Sequence, residues 1–318
     1  MPKQITRQTR DTLRSLFLDE GFAKVGFTSA DPVEDRISPW ISKGAHGSME
    51  YMARATADRS DPATLFDKAA SVICVAVAYP RTEGDQAIAG YACAEDYHRT
   101  MRSALDRAVK KMEDLLPGIT TRICVDSAPL SERAFAARSG LGWIGRNTLL
   151  LDEEYGPWTL LGEVLTDAII EPDAPAIDRC GTCTACIEAC PTEALDGQRG
   201  LDARRCLSYW TIEHRGPIPD AWAKAMEHRA FGCDDCLTAC PFPAQPSAIN
   251  REGTPAPLEL RPDLSDITPE ILQEQARTAF KRHFGSTPLE RTRKSGLLRN
   301  LSIVLDNRSA GDGATVDR

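Results

Sequence analysis

Eight cysteines lie between residues 180 and 240 of this 318-residue chain, which contains eleven in all. They form two runs: Cys180-x-x-Cys183-x-x-Cys186-x-x-x-Cys190-Pro191, and Cys206 followed by Cys233-x-x-Cys236-x-x-x-Cys240-Pro241. The C-x₂-C-x₂-C-x₃-C-P spacing is the signature of bacterial ferredoxins that hold two clusters. Eight thiolates are the number that two 4Fe–4S clusters require. The spacing therefore predicts a protein that transfers electrons.

The fourth cysteine of such a run binds the other cluster, which divides the eight cysteines into two predicted sets. One set is Cys180, Cys183, Cys186 and Cys240, and the other is Cys190, Cys206, Cys233 and Cys236. Structural zinc and four disulfides are the alternatives. Zinc gives no role to the triple at the start of the first run. Disulfides need an oxidising compartment, and the first residues, MPKQITRQTR, contain no apolar signal segment.

Acid–base chemistry is suggested by the segment VDSAPLSER at residues 125–133. Asp126 ends a predicted strand and begins a loop that leads into a predicted helix, a position where ligands of open sheets tend to bind. A partly desolvated carboxyl group there has a raised pKa and can act as a general acid near neutral pH. The alternative is that Asp126 or Ser131 caps the helix. The segment alone favours the cap.

Two further segments are candidates for ligand contact. Residues 139–148, SGLGWIGRNT, place three glycines within six residues, so the backbone could approach a large planar or phosphate-bearing ligand that Trp143 covers. A tight turn is the alternative, because the residues before GLGWIG look helical and not strand-like. Tyr97 and His98 stand at a predicted helix start, where ordinary packing and surface roles are the alternatives.

Positive charge is concentrated near the C-terminus although the net charge of the chain is −8. That net charge argues against indiscriminate nucleic-acid binding but does not exclude a local basic face. Residues 277–299 contain one acidic residue, Glu290, and seven basic ones: Arg277, Lys281, Arg282, Arg291, Arg293, Lys294 and Arg299. They are a candidate phosphate-binding surface, and a solvated helix face is the alternative.

An α+β scaffold is predicted to position these residues. The apolar patterns indicate helices at 5–20, 98–115, 131–139 and 268–306, and strands at 24–28, 71–79, 120–125 and 158–167. Cys74 falls in an apolar strand and is predicted to be a small buried residue. The 42% of hydrophobic residues is ordinary for a globular protein. No apolar stretch approaches the roughly 20 residues of a membrane span.

The same patterns predict four parts along the chain. These are a domain at 1–175, a cysteine-rich module at 176–246, a helical C-terminal region with a basic face at 247–308 and a disordered tail at 309–318. A proline-rich connector, with prolines between residues 241 and 262, joins the module to the helical region.

Taken together, these segments resemble the epoxyqueuosine reductases, cobalamin-dependent enzymes of tRNA modification. The matching stretches run in order over most of residues 20–300: 96–98 (DYH), 125–133, 140–147, 161–163 (LGE), 206–213 (CLSYWTIE), 216–219 (GPIP) and the cysteine runs. The resemblance implies a nitroreductase-like cobalamin-binding domain, a two-cluster ferredoxin-like module and a helical C-terminal region. Many family members add HEAT-like repeats, and this chain ends too early for a long array, so fewer or differently placed tRNA contacts are expected.

The resemblance also implies a reaction and the residues that perform it. The family removes the epoxide oxygen of epoxyqueuosine at the tRNA wobble position, with electrons passing from the clusters to cobalamin. Asp126 matches the proton donor, which reverses the preference for a cap. Tyr97, His98 and Arg133 match positions in or near the substrate pocket. The residues implied to line the corrin are Gly140, Gly142, Trp143, Gly145, Arg146 and Asn147. No D-x-H-x-x-G motif is present, so the cobalt is expected to have no protein imidazole below it.

The expected partners are a tRNA anticodon stem-loop that carries epoxyqueuosine and a reduced donor such as a flavodoxin or ferredoxin. The residues expected to bind tRNA are Lys281, Arg282, Arg291, Arg293, Lys294 and Arg299. A cytoplasmic monomer without a membrane partner is expected. Three alternatives remain open: a reductive dehalogenase-like cobalamin reductase, a plain two-cluster electron-transfer protein, and an RNA-binding protein with structural clusters. Respiratory reductive dehalogenases typically have a twin-arginine signal, which is absent here.

Overall fold

A four-stranded antiparallel sheet organises the N-terminal half of the protein. The structure is a computed structural model that describes residues 4–54, 59–81, 84–242, 258, 260–265 and 267–313. The strands are β1 Lys24–Ser29, β2 Ser71–Ala78, β3 Thr121–Cys124, β4 Trp143–Ile144, β5 Leu150–Leu151 and β6 Thr159–Thr166. The sheet has the order β1-β2-β6-β3, and β4 and β5 form a separate two-stranded ribbon. β3 is therefore an edge strand.

Eleven helices are present in the described residues. They are α1 Arg7–Asp19, α2 Ile37–Ser42, α3 Glu50–Ala53, α4 Tyr97–Leu115, α5 Glu132–Arg138, α6 Ala185–Glu188, α7 Asp220–Ala225, α8 Asp235–Thr238, α9 Pro262–Ser265, α10 Pro269–Phe284 and α11 Arg293–Gly313. Residues 209–213 form a π-helical turn, and 3₁₀ turns lie at 62–64, 90–92, 203–205 and 288–292. The helix α10 is kinked at Ala279.

The sheet is covered by helices on both faces, which is why every residue of β2 is buried. Alternate residues of a strand point to opposite faces. Ile73, Val75 and Val77 pack in the core that includes α1 and α4. Val72 and Cys74 pack instead against α5. Two helical layers thus enclose the strand end from which the Asp126 loop emerges.

The cysteine region, which is the described part of residues 176–246, depends on the C-terminal helices for its apolar contacts. Leu207, Trp210 and Phe231 share a core with side chains of α10 and α11 such as Leu272 and Leu301. The short helices α6 and α8 contact each other. The C-terminal helices therefore support the cysteine region as well as forming the end of the described chain.

The predicted α+β class and helical C-terminal region are confirmed. The other predicted helices and strands occur with bounds shifted by at most two residues, and Cys74 is fully buried as expected. The helical pattern predicted at 268–306 is instead divided between α10 and α11, which the 3₁₀ turn at 288–292 separates. The prediction of a disordered tail at 309–318 is wrong for residues 309–313, because α11 continues to Gly313. Once a helix has formed, each further residue adds one backbone hydrogen bond, which favours such an extension. The prolines of the connector between 243 and 257 lie outside the described residues. No helix in the described part of the chain is long and apolar enough to cross a membrane.

Candidate active site and cysteine groups

Asp126 stands two residues beyond the end of β3 in a left-handed backbone conformation, with φ of 53°. This conformation is uncommon for a residue other than glycine, although aspartate tolerates it better than most. The backbone N–H of Asp126 donates to Oε1 of Glu132 at 2.6 Å. The predicted helix α5 does begin after this loop, but its N-cap is Ser131, without a side-chain cap bond. Asp126 therefore does not cap the helix, and its side chain contacts His98 instead.

His98 holds the Asp126 side chain. Its Nε2 lies 2.9 Å from Asp126 Oδ2, and its Nδ1 lies 2.7 Å from Asp96 Oδ1. Asp96 is the N-cap of α4 and also accepts from the backbone N–H of His98 at 3.0 Å. Burial alone would lower the pKa of His98, but the hydrogen bonds to Asp126 and Asp96 raise it to about 9. The imidazole is therefore positively charged near neutral pH.

The charge state of Asp126 differs from the sequence-based expectation. Burial does act to raise the pKa of Asp126, but the hydrogen bond from His98 and the positive charges of His98 and Arg291 outweigh it and lower the pKa. The expected raised pKa of Asp126 is therefore wrong. The cause is non-local, because His98 is 28 residues away in sequence. Near neutral pH the site contains an Asp126 carboxylate paired with a His98 imidazolium.

Tyr97 and Arg291 complete the surroundings of this pair. The Tyr97 ring stacks on His98 with a centroid distance of 4.1 Å, and its side chain helps to lower the pKa of Asp126. Arg291 forms a bidentate pair with Glu213, both N–O distances being 2.8 Å, and lies over the Tyr51 ring. Arg291, expected to contact tRNA phosphates, is thus close enough to Asp126 to influence its pKa.

Asp126 is accessible although much protein surrounds it. The side chain of Asp126 is 56% exposed, and Arg133 is also exposed. Both are nevertheless surrounded by enough protein that burial acts on their pKa values. A cavity of about 860 Å³ runs along the free edge of β3, and its lining includes Val125 and Ser127 on either side of Asp126. The lining does not include Asp126 itself, so the cavity adjoins the candidate site and does not contain it.

Two residues that the sequence reasoning missed lie beneath the loop. Glu132 begins α5 and binds the Asp126 backbone, and Glu163 lies fully buried in the middle of β6. The stretch WTLLGEVLTD contained a signal for Glu163, because a charged residue is rarely buried inside an otherwise apolar strand without a partner. Arg133 is tied to the next segment, donating to the carbonyl oxygen and hydroxyl of Thr148.

The glycine segment packs against protein along most of its length. A β-carbon at Gly142 would collide with the carbonyl oxygen of Leu151, and one at Gly140 would lie 2.5 Å from that of Ala174. Trp143 is buried, contacts Phe242 and donates from its indole nitrogen to the Cys180 sulfur at 3.4 Å. Arg146 and Asn147 donate to the carbonyl oxygens of Gly181 and Cys236. The segment therefore connects the sheet domain, which is the described part of residues 1–175, to the cysteine region. Contact of this segment with a corrin stays a prediction.

The eight cysteines fall into two spatial groups. Cys240 lies near the first triple, Cys180, Cys183 and Cys186, whose charges act on its thiol. Cys236 likewise lies near Cys190, Cys206 and Cys233. These groups have the same members as the two predicted ligand sets, and their thiol donors suit iron. Within the described residues, no three His, Cys, Asp or Glu side chains converge closely enough to hold a single metal ion.

The basic residues of the C-terminal region differ in how they are engaged. Lys281, Arg293 and Lys294 are exposed and line a hollow of about 590 Å³, and Arg282 is also exposed. Arg299 instead donates to the backbone carbonyl oxygens of Trp210, His214 and Gly216. Lys281 lies 3.7 Å from Glu290 and Lys294 donates to the carbonyl oxygen of Arg277, so both are exposed but already have partners within the C-terminal region. The Arg299 guanidinium instead links α11 to the cysteine region.

Comparison with known proteins connects these features to a family. A model described as a 4Fe-4S double cluster binding domain matches residues 179–243, and one described as epoxyqueuosine reductase QueG, DUF1730, matches residues 59–127. The epoxyqueuosine reductase of Xanthomonas campestris is 35% identical over 93% of this chain and 86% of its own length. The chain belongs to the epoxyqueuosine reductase family. The resemblance predicted from the sequence is confirmed, and this family member is an oxidoreductase with a double 4Fe–4S cluster domain.

Solved structures of epoxyqueuosine reductases share the fold. One in complex with an epoxyqueuosine-modified tRNA-Tyr stem-loop is 31% identical, with a TM-score of 0.83 over 94% of this chain and 81% of that one. A Bacillus subtilis epoxyqueuosine reductase, whose catalytic aspartate loop is swung out of the active site, is 28% identical, with a TM-score of 0.78 over 98% of this chain and 87% of that one. The sheet, cysteine region and C-terminal helices therefore form an arrangement found throughout the compared epoxyqueuosine reductases.

Proposed function

We propose that this protein reduces epoxyqueuosine to queuosine at the wobble position of tRNA, with Asp126 as the proton donor. The observation that carries the proposal is the Asp126–His98 pair, an accessible carboxylate held 2.9 Å from an imidazole that retains its proton near neutral pH. A chain that only passed electrons between clusters would not need this arrangement.

The reaction breaks both carbon–oxygen bonds of the epoxide, forms the ring double bond and releases the oxygen as water, which consumes two electrons and two protons. The two 4Fe–4S clusters supply electrons one at a time, and cobalamin, when bound, supplies a low-valent cobalt that can accumulate them for transfer to the substrate. The protein must therefore bind these groups, orient the substrate and deliver protons to the departing oxygen.

Proton delivery is the task of His98 and Asp126. His98 holds a proton at Nε2 against the Asp126 carboxylate, so that proton can pass to Asp126 and then to the substrate oxygen as negative charge develops there. Asp96 fixes the other ring nitrogen and so orients the imidazole. Tyr97 stacks on the imidazole and so helps to hold the His98 ring against Asp126.

The two spatial groups of cysteines would bind the clusters, one group each. Residues 140–147, together with the surface beside Asp126, would hold cobalamin, which would supply the low-valent cobalt. Tyr97, His98 and Arg133 would contact the substrate. The contact between Trp143 and Cys180 supports this assignment, because it places the Cys180 group against the segment beside the site. A reduced flavodoxin or ferredoxin would supply the electrons to a cytoplasmic monomer.

The tRNA would approach from the side of Arg291 and the C-terminal helices. Lys281, Arg282, Arg293 and Lys294 are the exposed cations for its phosphates. Arg291 lies close enough to Asp126 to lower its pKa, so Arg291 would bind the tRNA near the modified nucleotide. Arg299 would support this surface through its three carbonyl contacts.

The substitution Asp126→Asn tests the proposal because the amide keeps the shape but cannot supply the proton. We expect turnover of an epoxyqueuosine-containing stem-loop to fall by about 100-fold or more, while iron content, cluster spectra and added cobalamin binding stay unchanged. Asp114→Asn makes the same chemical change on the exposed face of α4 and serves as the control. Near-normal turnover of Asp126→Asn would reject Asp126 as the donor, and absence of any turnover in the unmodified protein would favour plain electron transfer.

A further inference from the structure

The buried Glu163 carboxyl group has no role in the proposed reaction, although burying it is costly. It lies in the middle of β6, opposite Cys74 of β2 and Cys124 of β3, and none of its surface is exposed. Within the described residues, neither of its oxygens has a hydrogen-bond partner of ordinary distance and angle. The polar group that faces it is the Glu132 carboxyl, and each group influences the protonation of the other.

Two carboxyl groups in such surroundings cannot both be ionised. An unpaired buried carboxylate is costly, so such a group instead retains a proton. Burial, together with the neighbouring Glu132 charge, raises the pKa of Glu163 well above its usual range. Burial and the charge of Asp126 raise the pKa of Glu132 to about 8. The remaining titratable groups around the pair are the buried thiols of Cys74 and Cys124, whose pKa values are also raised, and the guanidinium of Arg133.

Glu132 is also one of two clamps on Asp126. Its Oε1 accepts from the Asp126 backbone N–H at 2.6 Å, while His98 binds the Asp126 side chain at 2.9 Å. Asp126 is held in the left-handed conformation between them. A strained residue persists only where its surroundings fix it. Loss of the Glu132 clamp would leave the Asp126 main chain free to relax.

We propose that Glu132 and Glu163 act as a positioning pair for Asp126, in which the buried Glu163 carboxyl group supports Glu132 from below and Glu132 is the acceptor that fixes the Asp126 backbone. This inference rests on the proposed role of Asp126 as the donor. Both glutamates are therefore assigned a positioning role and not a catalytic one. The pair acts by holding Asp126 in the direction from which its proton is delivered.

Three substitutions separate positioning from a general structural role. Glu163→Gln keeps a polar side chain of the same shape facing Glu132 and should keep turnover within about threefold of the unmodified protein. Glu163→Leu removes that polar group, and Glu132→Ala removes the acceptor of the Asp126 backbone N–H. Since small displacements of a catalytic group cost up to about 100-fold in rate, we expect both to lower kcat by roughly 10- to 100-fold. KM for the stem-loop should change little, because substrate contacts are intact.

Hydrogen–deuterium exchange of the protein with its clusters, without substrate, supplies a readout independent of turnover. Glu163→Leu and Glu132→Ala should speed exchange in the peptide covering residues 125–131, and Glu163→Gln should not. Unchanged exchange and kcat in Glu132→Ala, which alters a partly exposed residue, would overturn the inference even if Glu163→Leu failed to fold. Equal losses in Glu163→Gln and Glu163→Leu would also overturn it. Normal turnover of Asp126→Asn would reject the proposed donor, while the exchange result would still report on the clamp.

Discussion

The sheet domain and the cysteine region differ in how they achieve order. In the sheet domain, β2 is buried along its whole length and two helical layers cover the strands. In the cysteine region the helices α6 and α8 have four residues each, and no residue of α6 is buried. The fully buried carboxyl group of Glu163 is therefore found where a large core surrounds it. The cysteine region would instead rely on bonds between thiolates and iron.

The largest effect on this difference is expected from the substitution of one cysteine. Cys236→Ser should eliminate the cluster of its group, lose about half of the iron and abolish turnover, since the electron path is interrupted. Limited proteolysis should then cleave within residues 179–242 while peptides of the sheet remain protected. Cys74→Ala, which removes a buried thiol of the sheet, is the control and should retain all the iron. If Cys236→Ser kept its full iron content, the assignment of this group would be incorrect.

An intermediate effect is expected at the basic hollow, which lies outside both regions. Replacing Lys281, Arg293 and Lys294 together by glutamine should weaken stem-loop binding roughly tenfold at low salt and reduce the salt slope of the binding constant by about two, since each phosphate contact contributes about 0.7 to 0.9. The same replacement of the exposed Arg7, Lys43 and Lys68 controls for net charge. Equal slopes in the two triple variants would indicate that the hollow is an ordinary solvated surface.

The cysteine groups were the most predictable part of the site. Their spacing is local in sequence, and the chemistry of a cubane fixes the number and type of its ligands. The strand at 71–79 was equally clear, because a short, uninterrupted apolar run that is rich in β-branched residues and ends at a proline is typical of a buried strand. In both cases the information lies within a few neighbouring residues.

The properties of Asp126 could be predicted only in part. Its place at a strand end followed from the local pattern, but its pKa depends on His98 and Arg291, which come from distant parts of the chain. The Glu132–Glu163 pair depends on the register between α5 and β6 and escaped prediction for the same reason. The three glycines are predicted to border a ligand, and the structure adds a reason for two of them that the sequence does not contain, because neighbouring backbone leaves no room for a side chain at Gly140 and Gly142.

The smallest expected effect concerns Trp143, where the two regions meet. Its indole N–H donates to the Cys180 sulfur, and hydrogen bonds to cluster sulfurs stabilise the more negative, reduced state. Trp143→Phe keeps an aromatic ring against Phe242 but removes this donor. We expect the reduction potential of the cluster bound by the Cys180 group to fall, while the potential of the other cluster stays unchanged.

A redox titration followed by electron paramagnetic resonance measures both potentials in one sample. Trp40→Phe is the matched control, because it also removes an indole hydrogen bond, here to the carbonyl oxygen of Leu201 and not to a cluster sulfur. A fall in both potentials after Trp143→Phe would mean that the substitution loosens the whole cysteine region. A fall in one alone would mean that the sheet domain, through a single side chain, adjusts the cluster nearest to its own site.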